Sequence, residues 1–263
     1  MILTRLTVAK EAAKLAGSYL LSIPRTDRSF SSKGKSDVVT IYDKESERII
    51  IDHIHSKLPS DDFLGEEEGL ISHGGTGRWI IDPIDGTSNF VHAIPSYTIS
   101  IGYEIEEGKP IIGVVYNPSL DELFWAAEGH GAFCNGSPIQ CSKVAIPKNS
   151  LSVCPPPQRN PEDFETYLLL YRYICNHTEE IREFGSAALH LCYLASGRIE
   201  GMIELHVGYY DIAAGLVILK EAGGSSSSLN GSKHPQQSII ATNGILHEWY
   251  KKAVDATIGS VLF

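Results

Sequence analysis

The chain has 263 residues, 43% hydrophobic and 21% charged, enough for a large buried core in one big domain or two packed halves. Its formal net charge of −10 leaves no basic surplus to neutralise phosphates, which argues against a general nucleic-acid binder. Five cysteines (Cys134, Cys141, Cys154, Cys175 and Cys192) without CxxC spacing read as reduced thiols of a cytoplasmic protein, not as a disulfide frame or zinc site.

Arg5, Lys10, Glu11 and Lys14 break up the N-terminal residues, so they do not read as a signal peptide. The longest uncharged run, residues 87–103, holds Pro95 and several polar side chains and does not read as a membrane span. Leu3, Leu6, Ala9, Ala13, Ala16 and Leu20 recur at helical spacing and predict an amphipathic helix ended by Pro24. Residues 25–36 read as a polar loop. A second helix is expected over 43–58, with Ile50, Ile51, Ile54 and Leu58 on its apolar face, Asp43 as N-cap and Pro59 as stop.

Short apolar or alternating runs at 79–82, 97–103, 111–116 and 122–126 predict a mainly antiparallel sheet, with a hairpin turn at Glu106-Glu107-Gly108-Lys109. The pattern changes around residues 146–149. Beyond it, strands at 151–154, 199–203 and 238–241 alternate with helices at 163–173, 186–195 and 211–222, an α/β arrangement. Ser225 to Ser228 reads as a polar turn. The expected division is an N-terminal α+β metal-binding half, 1–147, and a C-terminal α/β half, 148–263, that completes the site.

The run Asp82-Pro83-Ile84-Asp85-Gly86-Thr87 carries the chemistry. It places two carboxylates at a strand end, suited to a hard cation, beside Gly86 and Thr87 N–H groups suited to a phosphate. Pro83 fixes the backbone after Asp82, Gly86 admits a phosphate close to the main chain, and Thr87 offers a hydroxyl to a nucleophilic water. Gly65-Glu66-Glu67-Glu68-Gly69 reads as a solvated acidic loop or, through Glu66, as a further metal ligand. Asp211, at the start of Tyr210-Asp211-Ile212-Ala213-Ala214-Gly215, reads as an N-cap or as a carboxylate pinned in a cleft by a closely packed helix. Asp37 and Asp43 fit turn and capping roles, which leave Asp43 able to accept a proton from a water held by Thr87. Two magnesium ions about 3.5–4 Å apart, sharing Asp82, would clamp attacking and leaving oxygens. Spacing alone does not bring these groups together.

Taken in order, the Asp37–Asp43 segment, Gly65-Glu66-Glu67, the DPIDGTSNF run and Tyr-Asp-Ile-Ala-Ala-Gly resemble the inositol monophosphatase family. Asn89-Phe90-Val91-His92 with Pro95, Gly131-Ala132-Phe133-Cys134-Asn135-Gly136, Gly185-Ser186-Ala187-Ala188 and Ile239-Ile240-Ala241-Thr242-Asn243 extend the likeness to nearly the whole chain. The resemblance implies an α/β sandwich, the layered αβαβα fold shared with fructose-1,6-bisphosphatase. It also implies a cytoplasmic homodimer, magnesium-dependent hydrolysis of small phosphate monoesters and lithium inhibition.

By matched position, the resemblance puts Glu66, Asp82 and the Ile84 carbonyl on a first metal, and Asp82, Asp85 and Asp211 on a second. Glu66 would also help hold a weak third. Thr87 with Asp43 would activate the water, Glu67 and Asp37 would support the site, and Lys33 would sit on a loop near the metals. Asp85, Gly86, Thr87, Gly185, Ser186, Ala187, Glu204 and Asp211 would line the substrate pocket. Two departures stand out: most relatives carry Trp at the position of Tyr210, where the aromatic ring is kept and metal binding is expected to survive, and often a larger or basic side chain at that of Gly208, which bears on substrate preference.

Inositol monophosphate is the substrate the resemblance favours, and Ser88-Asn89-Phe90 supports it over 3′-phosphoadenosine 5′-phosphate. Fructose 1,6-bisphosphate and histidinol phosphate are alternatives on the same scaffold. A regulatory protein acting on the transcription machinery is a further alternative, disfavoured by the intact carboxylates. Neither a nucleic acid nor a membrane is expected as a direct partner.

Overall fold

The structure, a computed structural model, describes residues 2–28, 31–34, 37–157, 161–229 and 238–258; over 31–39 and at 161 the description covers the backbone alone. Helix α1, Ile2–Ser22, buries Leu6, Ala9, Ala13, Ala16 and Leu20, the face its spacing predicts. Within the expected 25–36 loop, strand β1, Ser31–Gly34, pairs antiparallel with β2, Asp37–Val39. A two-stranded ladder is held by backbone hydrogen bonds, so it shows no apolar alternation to read.

Helix α2 runs Ile41–Lys57 and is capped by Thr40, not Asp43. Thr40 Oγ1 accepts the Tyr42 N–H, and Asp43, third in the helix, reaches back to the Thr40 N–H at 2.7 Å. The capping box thus fixes the Asp43 side chain in the first turn of the helix, three residues after the observed cap.

Eight strands form the first sheet. They are β3, Asp62–Gly65; β4, Gly69–Ile71; β5, Arg78–Asp85; β6, Thr98–Glu106; β7, Lys109–Asn117; β8, Glu122–Ala127; β9, Ala132–Cys134; and β10, Ser137–Ile139. Their order is β10-β9-β8-β7-β6-β5-β3-β4. All neighbours are antiparallel except β3 and β5, and Glu106 faces Lys109 at the predicted hairpin. A short helix, α3, Thr87–Val91, lies between β5 and β6.

The second sheet holds β11, Leu151–Val153; β12, Glu180–Arg182; β13, Gly201–Leu205; β14, Ser225–Ser227; and β15, Ser238–Thr242, in the order β12-β11-β13-β15-β14. Ser225–Ser227 is therefore an edge strand and not a turn, since its backbone pairs with β15 while its polar side chains suit a sheet margin. The helices of this half are α4, Phe164–His177; α5, Ala187–Ala195; α6, Tyr209–Glu221; and α7, His247–Thr257.

Three cores hold five layers together, the middle one spanning both faces of the α5 and α6 layer. Residues of α1 and α2 pack with Trp79, Ile81, Ile99 and Ile101 on one face of the first sheet. On its other face, Val115, Phe124 and Ala126 meet α5 and α6, which also contact Met202, Ile239 and Ala241 of the second sheet. Residues of α4 and α7 cover Ile203, Leu205 and Ile240 beyond it. This is the αβαβα sandwich implied by the resemblance. Among the described residues no helix is long and apolar enough to cross a membrane.

Two contacts hold the sheet and its helices in the arrangement that carries the acidic groups. Arg5 donates to both oxygens of buried Asp61 (2.9 and 2.6 Å), and the Trp79 indole N–H donates to the same carboxylate at 3.1 Å, locking α1 to the starts of β3 and β5. Gly102 and Gly113 face each other across β6 and β7 and clear a path for α6. A Cβ on Gly113 would lie 2.1 Å from the Ala214 carbonyl oxygen, a backbone atom that cannot swing away. Gly113→Ala is therefore expected to destabilise the protein by about 1–3 kcal/mol, several degrees in Tm for a chain this size. Thermal unfolding reads this directly, and an unchanged Tm contradicts the close approach.

Candidate active site

The parallel pairing of β3 and β5 sets Gly65 beside Ile81, so the next residues, Glu66 and Asp82, arrive together. The Glu66 N–H donates to the Ile81 carbonyl at 3.1 Å. In a regular strand, residues three apart point to opposite faces. Here the β5–β6 register slips between Asp82 and Asp85, which lets both carboxylates serve one cavity. Asp82 Oδ1 accepts the Ile84 N–H at 3.0 Å, which fixes its rotamer.

Asp85 is held from the second half of the chain. Its Oδ2 accepts the Ser186 hydroxyl and the Ala188 N–H, each at 2.7 Å, at the start of α5. Ser186 caps that helix by accepting the Leu189 N–H. Asp211 comes from α6, where the N-cap is Gly208 and Asp211 is the third helical residue, not the cap. Its Oδ2 accepts the Gly208 N–H at 2.9 Å. The Tyr209 hydroxyl donates to Glu104, and the Ser100 hydroxyl donates to the Tyr210 carbonyl at 3.2 Å, which anchors this helix start to β6.

One carboxylate oxygen each from Asp82, Asp85 and Asp211 lies within 4.8 Å of the others. They line a cavity of about 260 Å³ that Glu66, the Ile84 segment and Thr87 also line. Glu66 is not one of the three close oxygens, but its carboxyl is in hydrogen-bonding contact with that of Asp82. Gly86, with left-handed backbone (φ 93°), turns the chain from β5 into α3. Gly185, Ser186, Ala187 and Glu204 line the same cavity.

Thr87 Oγ1 lies 3.0 Å from Asp43 Oδ1 and 3.0 Å from the Ile84 carbonyl oxygen. Its one proton serves one of these acceptors at a time, and its lone pairs stay available to a donor from the cavity. Buried Asp43 also accepts from the Thr40 hydroxyl. The Glu67 and Glu68 N–H groups donate to Glu47, at 3.1 and 2.9 Å, which holds the acidic turn after β3. The Lys33 and Asp37 side chains lie outside the described residues.

Crowding shows in the proton affinities. Burial, then the charges of Asp211 and Glu67, push the Glu66 carboxyl up to about 8. Burial and the charge of Asp211 push Asp85 up to about 7, against the hydrogen bonds from Ser186 and Ala188. Asp82 is raised well above the usual range by burial and by Glu66, Asp85 and Asp211. Burial likewise raises Asp43. Such a set cannot be fully ionised at neutral pH without a cation nearby. The donors are all oxygens, carboxylates beside a backbone carbonyl, which fits a hard divalent ion and not a soft one.

Three residues were not read from the sequence. Glu47 is fully buried on α2, where Asp43, Ser46 and Glu47 form a buried polar stripe and Ser46 donates to the Pro83 carbonyl at 3.1 Å. That stripe, beside Ile50 and Ile54, is the signal that marks it. Glu183 and His190 line the cavity with Glu204; a histidine inside the apolar run Ala187–Ala195 is the trace it leaves. The two departures at Gly208 and Tyr210 are linked, since a Cβ on Gly208 would lie 2.7 Å from the Tyr210 ring.

Residues 3–258 match the model of the inositol monophosphatase family. The chain is 37% identical over 239 residues to a fructose-1,6-bisphosphatase/inositol-1-monophosphatase of Thermotoga maritima, covering 90% of each chain. It is 37% identical over 258 residues to an inositol-1-monophosphatase of Synechocystis, covering 97% of this chain and 90% of that one. The crystal structure of extragenic suppressor protein suhB from Bartonella henselae superposes with a TM-score of 0.89 at 35% identity, covering 94% of this chain and 97% of that one. A site built from these carboxylates, on this fold, places the chain in the inositol monophosphatase family, as a hydrolase of phosphate monoesters.

Proposed function

We propose that the protein hydrolyses inositol monophosphate to inositol and phosphate with two to three magnesium ions per site. The observation that carries this is the convergence of Asp82, Asp85 and Asp211 within 4.8 Å, in the cavity that also holds Thr87 and Glu204. Glu66, Asp82 and the Ile84 carbonyl would hold one ion, and Asp82, Asp85 and Asp211 a second. Bound magnesium supplies charge stabilisation at the phosphoryl oxygens and a water acidic enough to attack near neutral pH.

The chain's own residues position that attack. Thr87 donates its hydroxyl proton to Asp43 Oδ1 and accepts a hydrogen bond from the attacking water. Asp43, with its affinity for protons raised by burial, is suited to take up the water's proton. The water oxygen bonds to phosphorus, the ester P–O bond breaks, and the inositol oxygen leaves with a proton from solvent. The Gly86 and Thr87 N–H groups hold the phosphoryl oxygens, while Gly185, Ser186, Ala187, Glu204, Asp85 and Asp211 bound the cyclitol. Glu67 supports the metal side.

The halves 1–147 and 148–263 divide this work: the first supplies Glu66, Asp82 and Asp85, the second Asp211 and Glu204. The homodimer, the cytoplasmic location and lithium sensitivity belong to the same reading.

Phosphate release from inositol 1-phosphate, fructose 1,6-bisphosphate and 3′-phosphoadenosine 5′-phosphate, with and without magnesium, tests it. Magnesium-dependent release favouring inositol 1-phosphate is expected. Preference for fructose 1,6-bisphosphate, an activity named for the Thermotoga maritima relative, would reassign the substrate and keep the site.

Two further outcomes follow from the crowded carboxylates. Raised carboxyl groups add stability below their unfolded values and lose it as pH rises through the folded ones, near 7 for Asp85 and 8 for Glu66. Magnesium binds the ionised forms, so saturating magnesium should raise Tm more at pH 8 than at pH 6, as differential scanning fluorimetry reports. Asp82→Asn should reduce turnover at least a thousandfold while the metal-free protein melts no lower than wild type. Near-normal turnover in that variant removes Asp82 from the metal site.

A further inference from the structure

The cavity lining also holds a histidine that the proposed reaction leaves without a task. His190 lies in α5 with a side chain 1% exposed, in a helix whose other buried residues are Ala187, Ala188, Leu189, Leu191, Cys192, Leu194 and Ala195. A core histidine is ordinarily satisfied by backbone carbonyls; this one lies between two carboxylates. Its Nε2 is 3.2 Å from Glu183 Oε1 and its Nδ1 is 3.5 Å from Glu204 Oε2. Both His190 Nδ1 and Glu204 Oε2 are buried and lack any hydrogen-bond partner of good geometry, although they face one another. Two such atoms, each costly to leave unmet, mark a contact that tightens when the pocket is filled.

The charge pattern agrees. Among the described residues no lysine or arginine lines the cavity, and the other histidine there, His206, is exposed and paired with Asp163. Glu183 and Glu204 are the titratable groups that act on His190, and Asp85 and the Cys154 thiol in turn feel the charge of Glu204. Burial pulls the imidazole down, but hydrogen bonds and charge from Glu183 and Glu204 outweigh it and bring it up to about 10. Although the Phe184 N–H lies 3.2 Å from Nε2, a protonated Nε2 does not accept it; the Glu183 carboxylate takes that N–H as well. The Glu204 side chain, 19% exposed, lines the cavity.

We propose that His190 is a positioning residue: it holds the buried oxygen of Glu204, so that the remaining carboxylate oxygen meets a ring hydroxyl of the substrate. The substrate class this selects is a phosphorylated polyol with a free hydroxyl on the face away from the phosphate. This deepens, and rests on, the inositol phosphate reading.

The test compares wild type with His190→Gln, which keeps an amide donor and removes the charge, on inositol 1-phosphate and on p-nitrophenyl phosphate, which has no ring hydroxyls. The expected result is a KM for inositol 1-phosphate raised about tenfold with kcat within twofold, and a KM for p-nitrophenyl phosphate that does not follow. An equal loss on both substrates, or no change on either, overturns the proposal. A second measurement needs neither turnover nor a folded variant of His190. In ¹⁵N-histidine-labelled wild type, His190 should carry protons on both ring nitrogens at pH 8, and Glu204→Gln should lower its titration midpoint by a unit or more. A wild-type His190 neutral at pH 8, or one indifferent to Glu204→Gln, overturns the proposal. Wild-type protein active on neither phosphate instead counts against the proposed function, and the imidazole titration then decides the His190 contact by itself.

Discussion

Repulsion among carboxylates shut away from water is the constraint on which the rest of this molecule turns. Asp82, Asp85 and Asp211 bring oxygens within 4.8 Å of one another, and Glu66 leans on Asp82. In a buried site such a cluster is destabilising by itself, whether its members stay ionised or take up protons they would not hold in water. A divalent cation reverses the sign of that interaction. On the proposed reading, the stability given up here is what favours a divalent ion in the site.

Holding repelling groups together requires stiff supports, and each carboxylate has a different one. The parallel register of β3 against β5 delivers Glu66 beside Asp82. The slipped register between β5 and β6 turns Asp85 to the same side as Asp82. Ser186 and the Ala188 N–H, at the start of α5, tether Asp85 across the boundary between the two sheets. Helix α6 reaches the first sheet only because Gly102 and Gly113 leave room, and Asp211 is carried in with it. The site lies where two sheets and two helix starts meet, so no local segment holds it alone.

Much of this was legible in the sequence where local physics decides. The apolar spacing of α1, the Glu106–Lys109 hairpin and the strand before Asp82 are short-range patterns, and the motifs around Asp82 and Asp211 carry enough specificity to imply the family. What was not legible depends on long-range pairing. Asp43 and Asp211 both resembled N-caps, but each is the third residue of its helix, reaching back to a backbone N–H. Ser225–Ser227 became a strand through its partner β15, and its own composition does not announce it. Glu47 and His190 stay hidden because a polar residue on a buried helix face shows its purpose only once its partners arrive from elsewhere in the chain.

The most direct test of the central claim is calorimetry of magnesium binding at pH 7, repeated in buffers of different ionisation enthalpy. If crowded carboxylates form the metal site, binding releases about one proton or more per protein, and Asp85→Asn lowers that number. Magnesium binding without proton release, or no binding at all by folded protein, would contradict the account.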